Sequence, residues 1–149
     1  VRRSLLRDGI IFTHRGFHPH LVGNRYSAFC RPRHDDPTAL AEIREKQSFT
    51  DDWMNEPLSV GVFYAKAGRR LIDAIGRDMA ADARIGNEFF PSIAFNRMVA
   101  EGGDVALQEV DFFIHWGVPE QLRDFEHWHD VWVRDVKPRP MATSPCRKT

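Results

Sequence analysis

Cysteine is scarce: two in 149 residues, Cys30 and Cys146, far apart and without metal-type spacing, which argues against a disulfide framework and a thiolate zinc site. A reducing cytoplasm suits such a chain. Net charge is also lacking. Lys plus Arg equals Asp plus Glu, 21 against 21, so no global field draws the chain to nucleic acid or to an acidic membrane, and any anion site must be local. No apolar run approaches the ~20 residues that span a bilayer, and the opening VRRSLLRDG has too short an apolar part for a secretory signal. No internal repeat or interior linker divides the chain.

What is present is ordinary for a soluble globular domain: 42% hydrophobic and 28% charged residues, enough for one sizeable core. Residues 1–135 read as a domain or a piece of one. The first residue is Val rather than Met, and a strand-like segment follows almost at once, as expected of a fragment. Residues 136–149, VKPRPMATSPCRKT, hold three prolines, basic residues and no apolar period, and read as a disordered tail.

Strands are expected at 9–13, 25–31, 39–46 and 58–65, with HDDP supplying a turn between the second and third; good helix formers make helix the competing reading for 39–46. LSVGVFYA, 58–65, is apolar almost throughout and reads as a central strand covered on both faces. Leu71, Ile72, Ile75 and Met79 form the stripe of a helix over 68–83. A second helix is expected over 89–100, with Pro91 in its first turn and Gly102 and Gly103 ending it. One long or two short strands over 104–115 come next. A closing helix over 119–133 is expected to bury Leu122, Phe125, Trp128 or His129, and Trp132.

VDFFIHWGVPEQL, 110–122, carries the most information. Read with period two, Asp111, Phe113 and His115 share one side of a strand, while Phe112, Ile114 and Trp116 share the apolar other. Gly117 allows a sharp turn or close approach by a ligand. Pro119 and Glu120 suit the first turn of a helix whose N-terminus favours anions, so phosphate is the expected tenant of this corner.

This stretch resembles the closing motif of the sugar-phosphate nucleotidyltransferases, and three further segments match that family in the family's order. EIREK resembles its strand-end Glu-Lys, here Glu45 and Lys46. SVGVFY resembles its central strand, where a glycine, here Gly61, lets a sugar ring lie against backbone. GNEFF resembles the segment placing an acidic residue, here Glu88, beside the sugar. GFHPHLVGN resembles a loop of members tied to capsule or surface-polysaccharide synthesis. Its His18 and His20, flanking Pro19, are candidates to contact sugar or phosphate, though a loop histidine is more often simply solvated.

The resemblance runs from about Gly9 through Val133 and covers the second half of the family's domain. It implies an α/β fold, part of a Rossmann-like nucleotide-sugar transferase domain: a mixed sheet flanked by helices, with a small β arm. It further implies attack of a sugar 1-phosphate on a nucleoside triphosphate with Mg2+ as cofactor, yielding a nucleotide-sugar and pyrophosphate. Lys46 and Asp111 would be catalytic, Lys46 holding the sugar phosphate. Glu45, Gly61, Glu88 and Gly117 would contact substrate, and Asp111 with His115 would form the metal edge.

Two departures stand out. The family's Gly-x-Gly-x-x-Arg nucleotide loop has no counterpart here, so the partner required is the missing N-terminal half of the domain, and this stretch alone is expected to be inactive. His115 stands where many members have the second metal-binding Asp, and imidazole suits magnesium poorly. Alternatives from other classes are a non-catalytic sugar-phosphate-binding or subunit-interaction module, and a metal hydrolase built on His115, His127 and His129. Two histidines at spacing two share a helix face badly, which speaks against the latter. A sheet edge bared by truncation is an expected surface for homo-oligomer formation.

Overall fold

The structure, a computed structural model, describes residues 6–17 and 27–135. The tail, Cys146 and the loop histidines His18 and His20 lie outside them. Within them, five strands and three helices run in the order β1 (Gly9–His14), β2 (Ala28–Pro32), β3 (Leu40–Glu45), β4 (Leu58–Ala65), α1 (Gly68–Ala80), α2 (Ala94–Ala100), β5 (Val105–Glu109) and α3 (Pro119–Asp135). The strands form one mixed sheet of order β3-β2-β4-β1-β5, in which only β1 and β5 pair in parallel. This is the mixed α/β architecture expected.

β1 is the most deeply covered strand. Ile10 and Ile11 point to opposite faces and both are fully buried. Gly9 is required by packing: a Cβ there would stand 2.9 Å from Phe95 of α2. The expectation that β4 is covered on both faces fails. Leu58 and Ser59 are buried, but Gly61 and Val62 are exposed.

For 39–46 the strand wins over the helix, because Leu40 and Ile43 have a core to fill with Ile11, Phe95, Met98 and Val105. The β2–β3 hairpin is a full part of the sheet. Asp36 shapes its turn by accepting from Thr38 N at 2.9 Å and Thr38 Oγ1 at 2.6 Å. The residues entering β3 reach the opposite edge strand, with Ala39 bridging Ala106 and Leu107 N donating to Thr38 O at 2.8 Å. The sheet therefore curls until its two edges touch.

α1 turns Leu71, Ala74 and Ile75 inward, spaced three and four apart, so the predicted stripe was displaced: Ile72 and Met79 are exposed. The predicted 89–100 helix begins later, as a 3-10 turn at Pro91–Ile93 leading into α2, whose Ala94, Phe95 and Met98 are buried. Gly102 ends it with φ of 81°, and Gly103 N donates back to Met98 O at 2.8 Å, a Schellman-type stop.

Residues to Phe113 form one compact unit and those from Ile114 a second. In the second, α3 carries Phe125 between the Trp116 ring, 5.1 Å away, and His129, 6.0 Å away. Of the residues expected to be buried, Phe125 is half-buried, whereas Leu122, Trp128 and Trp132 are exposed.

Candidate functional site

β3 ends at Glu45, and the chain then turns through Lys46 with φ of 60°. For a residue with a side chain that left-handed conformation costs about 1–2 kcal/mol, so it persists only where its surroundings hold it. Here Lys46 N donates to Ser27 O at 3.0 Å. The side chain is held as well, with Nζ 2.9 Å from Glu88 Oε2 and 4.9 Å from the centre of the Phe90 ring. Glu88 is presented by a tight turn in which Ile85 N donates to Glu88 O at 3.0 Å and Gly86 takes φ of 63°.

Glu45 is half-buried beside this pair. Ser92, in the 3-10 turn before α2, donates its hydroxyl to Glu45 Oε1. Burial pushes the Glu45 carboxyl above its ordinary value, against the pull of the Ser92 hydroxyl and the Lys46 charge. The other oxygen, Oε2, has no hydrogen-bond partner among the described residues. The structure thus brings Glu88 to Lys46 across 42 residues, with Glu45 next to Lys46 at the end of β3.

Two residues of this neighbourhood escaped sequence reasoning. Ser92 gave no signal, since a serine after proline reads as a helix start. Buried Glu56 organises the loop after Lys46 by accepting from Phe49 N at 2.9 Å, Thr50 N at 2.6 Å and Thr50 Oγ1 at 2.7 Å. Its partners six and seven residues upstream follow no regular period. Cys30 lies close enough for the Glu45 charge to be felt, but burial is the main cause that pushes its thiol far up, leaving it inert as a nucleophile.

Gly61 sits in a β-bulge. Between the pairs Ile11–Phe63 and Thr13–Ser59, Val60, Gly61 and Val62 oppose the single residue Phe12, and Gly61 takes φ of 77°. A Cβ there would meet nothing within 4 Å, so bare backbone faces open space. Glu45 pairs with Ala28, and the next residue of β2, Phe29, pairs with Leu58, which sets the bulge and the end of β3 at one end of the sheet, two strands apart. Strand spacing makes that about 10 Å.

The closing motif differs from its sequence reading. The strand stops at Glu109, so Asp111 and His115 do not share a strand face. Asp111 is exposed past that end and makes no hydrogen bond or ion pair among the described residues. His115 Nδ1 lies 2.7 Å from Gln121 Oε1, the same oxygen that accepts from Gly117 N at 3.0 Å and Val118 N at 3.3 Å. Gln121 thus caps its own helix, in the manner of the third residue of a capping box, and takes the amides expected to meet phosphate. Gly117 is required because a Cβ there would stand 2.5 Å from the His115 ring.

Among the described residues no group of three or more His, Cys, Asp or Glu is placed to hold a metal. Magnesium takes oxygen ligands, and Asp111 with His115 offers one carboxylate and an imidazole already facing Gln121, a donor set that does not suit the ion by itself.

A separate cavity of about 520 Å3 opens along the C-terminal ends of β1 and β5, lined by Arg7, Thr13, Arg15, Thr38, Gln108 and Glu109 among others. None of the sequence-predicted site residues lines it. Its cations are matched internally: Arg7 pairs with Asp36 at 2.8 Å and Asp104 at 3.1 Å, and Arg15 with Glu109 at 3.3 Å.

The fold is an α/β domain, a mixed five-stranded sheet with flanking helices, shared with a known nucleotidyltransferase-like structure. The nucleoside-diphosphate-sugar pyrophosphorylase from Vibrio cholerae RC9 has a similar fold, with a TM-score of 0.69 over 85% of this chain and 49% of that one, at 18% identity. The chain thus spans about half the length of that structure. No protein-family model and no curated protein matches it. No helix among the described residues is long and apolar enough to cross a membrane.

Proposed function

We propose that this chain forms the sugar-phosphate side of the cleft of a nucleotidyltransferase. In the reaction, a phosphate oxygen of a sugar 1-phosphate attacks the α-phosphorus of a nucleoside triphosphate. A new P–O bond forms, the α–β bridge breaks, and the products are a nucleotide-sugar and pyrophosphate. The observation that carries this reading is the convergence of Glu45, Lys46 and Glu88, tied by the 2.9 Å Lys46–Glu88 contact across 42 residues.

In this role Lys46 supplies a fixed positive charge to a phosphate monoester, which an anionic triphosphate would otherwise repel. Glu45 and Glu88 accept hydrogen bonds from sugar hydroxyls, and the bulge at Gly61 lets a ring approach backbone that no side chain shields. The triphosphate is held outside these residues, by the glycine-rich half of the family's domain. The product serves surface-polysaccharide synthesis, as the resemblance of the GFHPHLVGN loop suggests, and the scarcity of cysteine suits a reducing cytoplasm.

Calorimetric titration of the 149-residue chain with a panel of hexose 1-phosphates tests this. Saturable binding that Lys46→Ala abolishes is the expected result. Absence of binding to every member of the panel would overturn the reading. A parallel titration with nucleoside triphosphates separates it from a self-sufficient nucleotide site, which would bind them.

A further inference from the structure

We infer that Ser92 is a positioning residue: its buried hydroxyl, by donating to Glu45 Oε1, holds the carboxylate so that Oε2 stands ready to accept hydroxyl groups of the ligand. The inference rests on the sugar-phosphate reading of the site, but its geometry stands apart from it. Ser92 is 2% exposed and sits in the 3-10 turn that Pro91 begins. A serine hydroxyl has one hydrogen to give, and here it goes to Glu45. The bond crosses from the turn before α2 to the last residue of β3, which are 47 residues apart. α2 and β3 are themselves locked together, because the Asn96 side chain, four residues after Ser92, bonds both backbone groups of Ile43, two residues before Glu45. The hydroxyl is therefore presented to Glu45 by a rigid pair of elements rather than by a mobile loop.

The consequence is electrostatic as well as steric. Burial favours the protonated form of Glu45, and the Ser92 donor is the largest influence opposing it. An ionised carboxylate is the stronger acceptor for a hydroxyl. Without Ser92 the carboxyl is free to rotate and is protonated at higher pH. The neighbouring Lys46 and Glu88 face the same site, so their pairing must be kept in any test.

The variants are Ser92→Ala, which removes the donor, and Ser92→Thr, which keeps it. Two readouts on the full chain separate the possibilities. The first, in the ligand-free protein, follows the Glu45 side-chain carboxyl by carbon NMR, assigned with Glu45→Gln. Its titration midpoint is expected to move to higher pH in Ser92→Ala and to return in Ser92→Thr. The second is the pH dependence of hexose 1-phosphate affinity, expected to fall about tenfold in Ser92→Ala near pH 6 and by less at pH 8. An unmoved midpoint in Ser92→Ala, or Ser92→Thr behaving like Ser92→Ala, overturns the inference. A wild-type chain that binds no sugar phosphate, yet shows the shifted midpoint, overturns the functional reading and leaves the Ser92–Glu45 coupling intact.

Discussion

Asn96 reaches from α2 to Ile43 at the outer edge of β3 and satisfies both of its backbone groups: Oδ1 accepts from Ile43 N and Nδ2 donates to Ile43 O, each at 2.8 Å. The side-chain amide imitates one residue of a further strand and closes an edge that would otherwise offer unpaired groups. Asn96→Ala removes both bonds from a part-buried setting. It is expected to cost about 1–3 kcal/mol of stability, read by urea unfolding. A loss within about 0.3 kcal/mol would show that water replaces the amide without penalty.

In the proposed role, Lys46 sets stability against ligand binding. Glycine adopts φ of 60° without strain, so Lys46→Gly is expected to stabilise the fold by about 0.5–1 kcal/mol while removing sugar-phosphate binding. Thermal unfolding and titration on the same sample check both halves. A destabilised variant would mean that the Lys46 side chain contributes more than its backbone conformation costs.

In the proposed role, Glu88 competes with phosphate for Lys46. The pair is solvent-exposed, so Glu88→Gln is expected to change stability by less than about 0.5 kcal/mol. Affinity for inorganic phosphate should rise in the variant, because the charge on Lys46 is no longer neutralised. Affinity for a hexose 1-phosphate should rise less or fall, because an acceptor for the sugar is weakened. Equal rises for the two ligands would remove Glu88 from the sugar contact.

Asp36 makes the docking of the β2–β3 turn sensitive to acid. The Thr38 hydroxyl and amide, and then the Arg7 guanidinium, hold its carboxyl down to about 2, from an ordinary value of 3.8. Because the folded value lies below the unfolded one, the unfolded chain binds more protons between them, and stability falls as pH drops from about 4 to about 2. In Asp36→Asn the acid dependence over that window is expected to be shallower, as measured by midpoint denaturant concentration at a series of pH values. An unchanged slope would assign the acid sensitivity to other carboxylates.

The sequence by itself was a good guide wherever a signal is local. The LSVGVFYA strand begins and ends where read, the helix at Gly68 and the closing helix at Pro119 start where their turn and proline signals stand, and Gly102 and Gly103 stop α2. Glu45, Lys46 and Glu88 were named from ordered motifs, and the structure adds that Lys46 and Glu88 meet at 2.9 Å. Periodicity was less reliable at the surface. It selected Ile72 and Met79 for a core that Leu71, Ala74 and Ile75 fill, because a stripe on a helix does not say which of its two margins the sheet will meet.

Only the tertiary structure decided the rest. The stretch 104–115, expected as one long or two short strands, holds a single strand that stops at Glu109, where its pairing with the parallel partner β1 ends. The curl that brings Thr38 to Leu107, the amide of Asn96 on Ile43, and the hydroxyl of Ser92 on Glu45 are contacts across 47 to 69 positions (107 − 38 = 69), made between elements whose relative placement follows no period in the chain. Local propensities chose the elements of this protein. Packing around Ile11 and Phe95 chose which of their side chains face one another, and with that the chemistry its site presents.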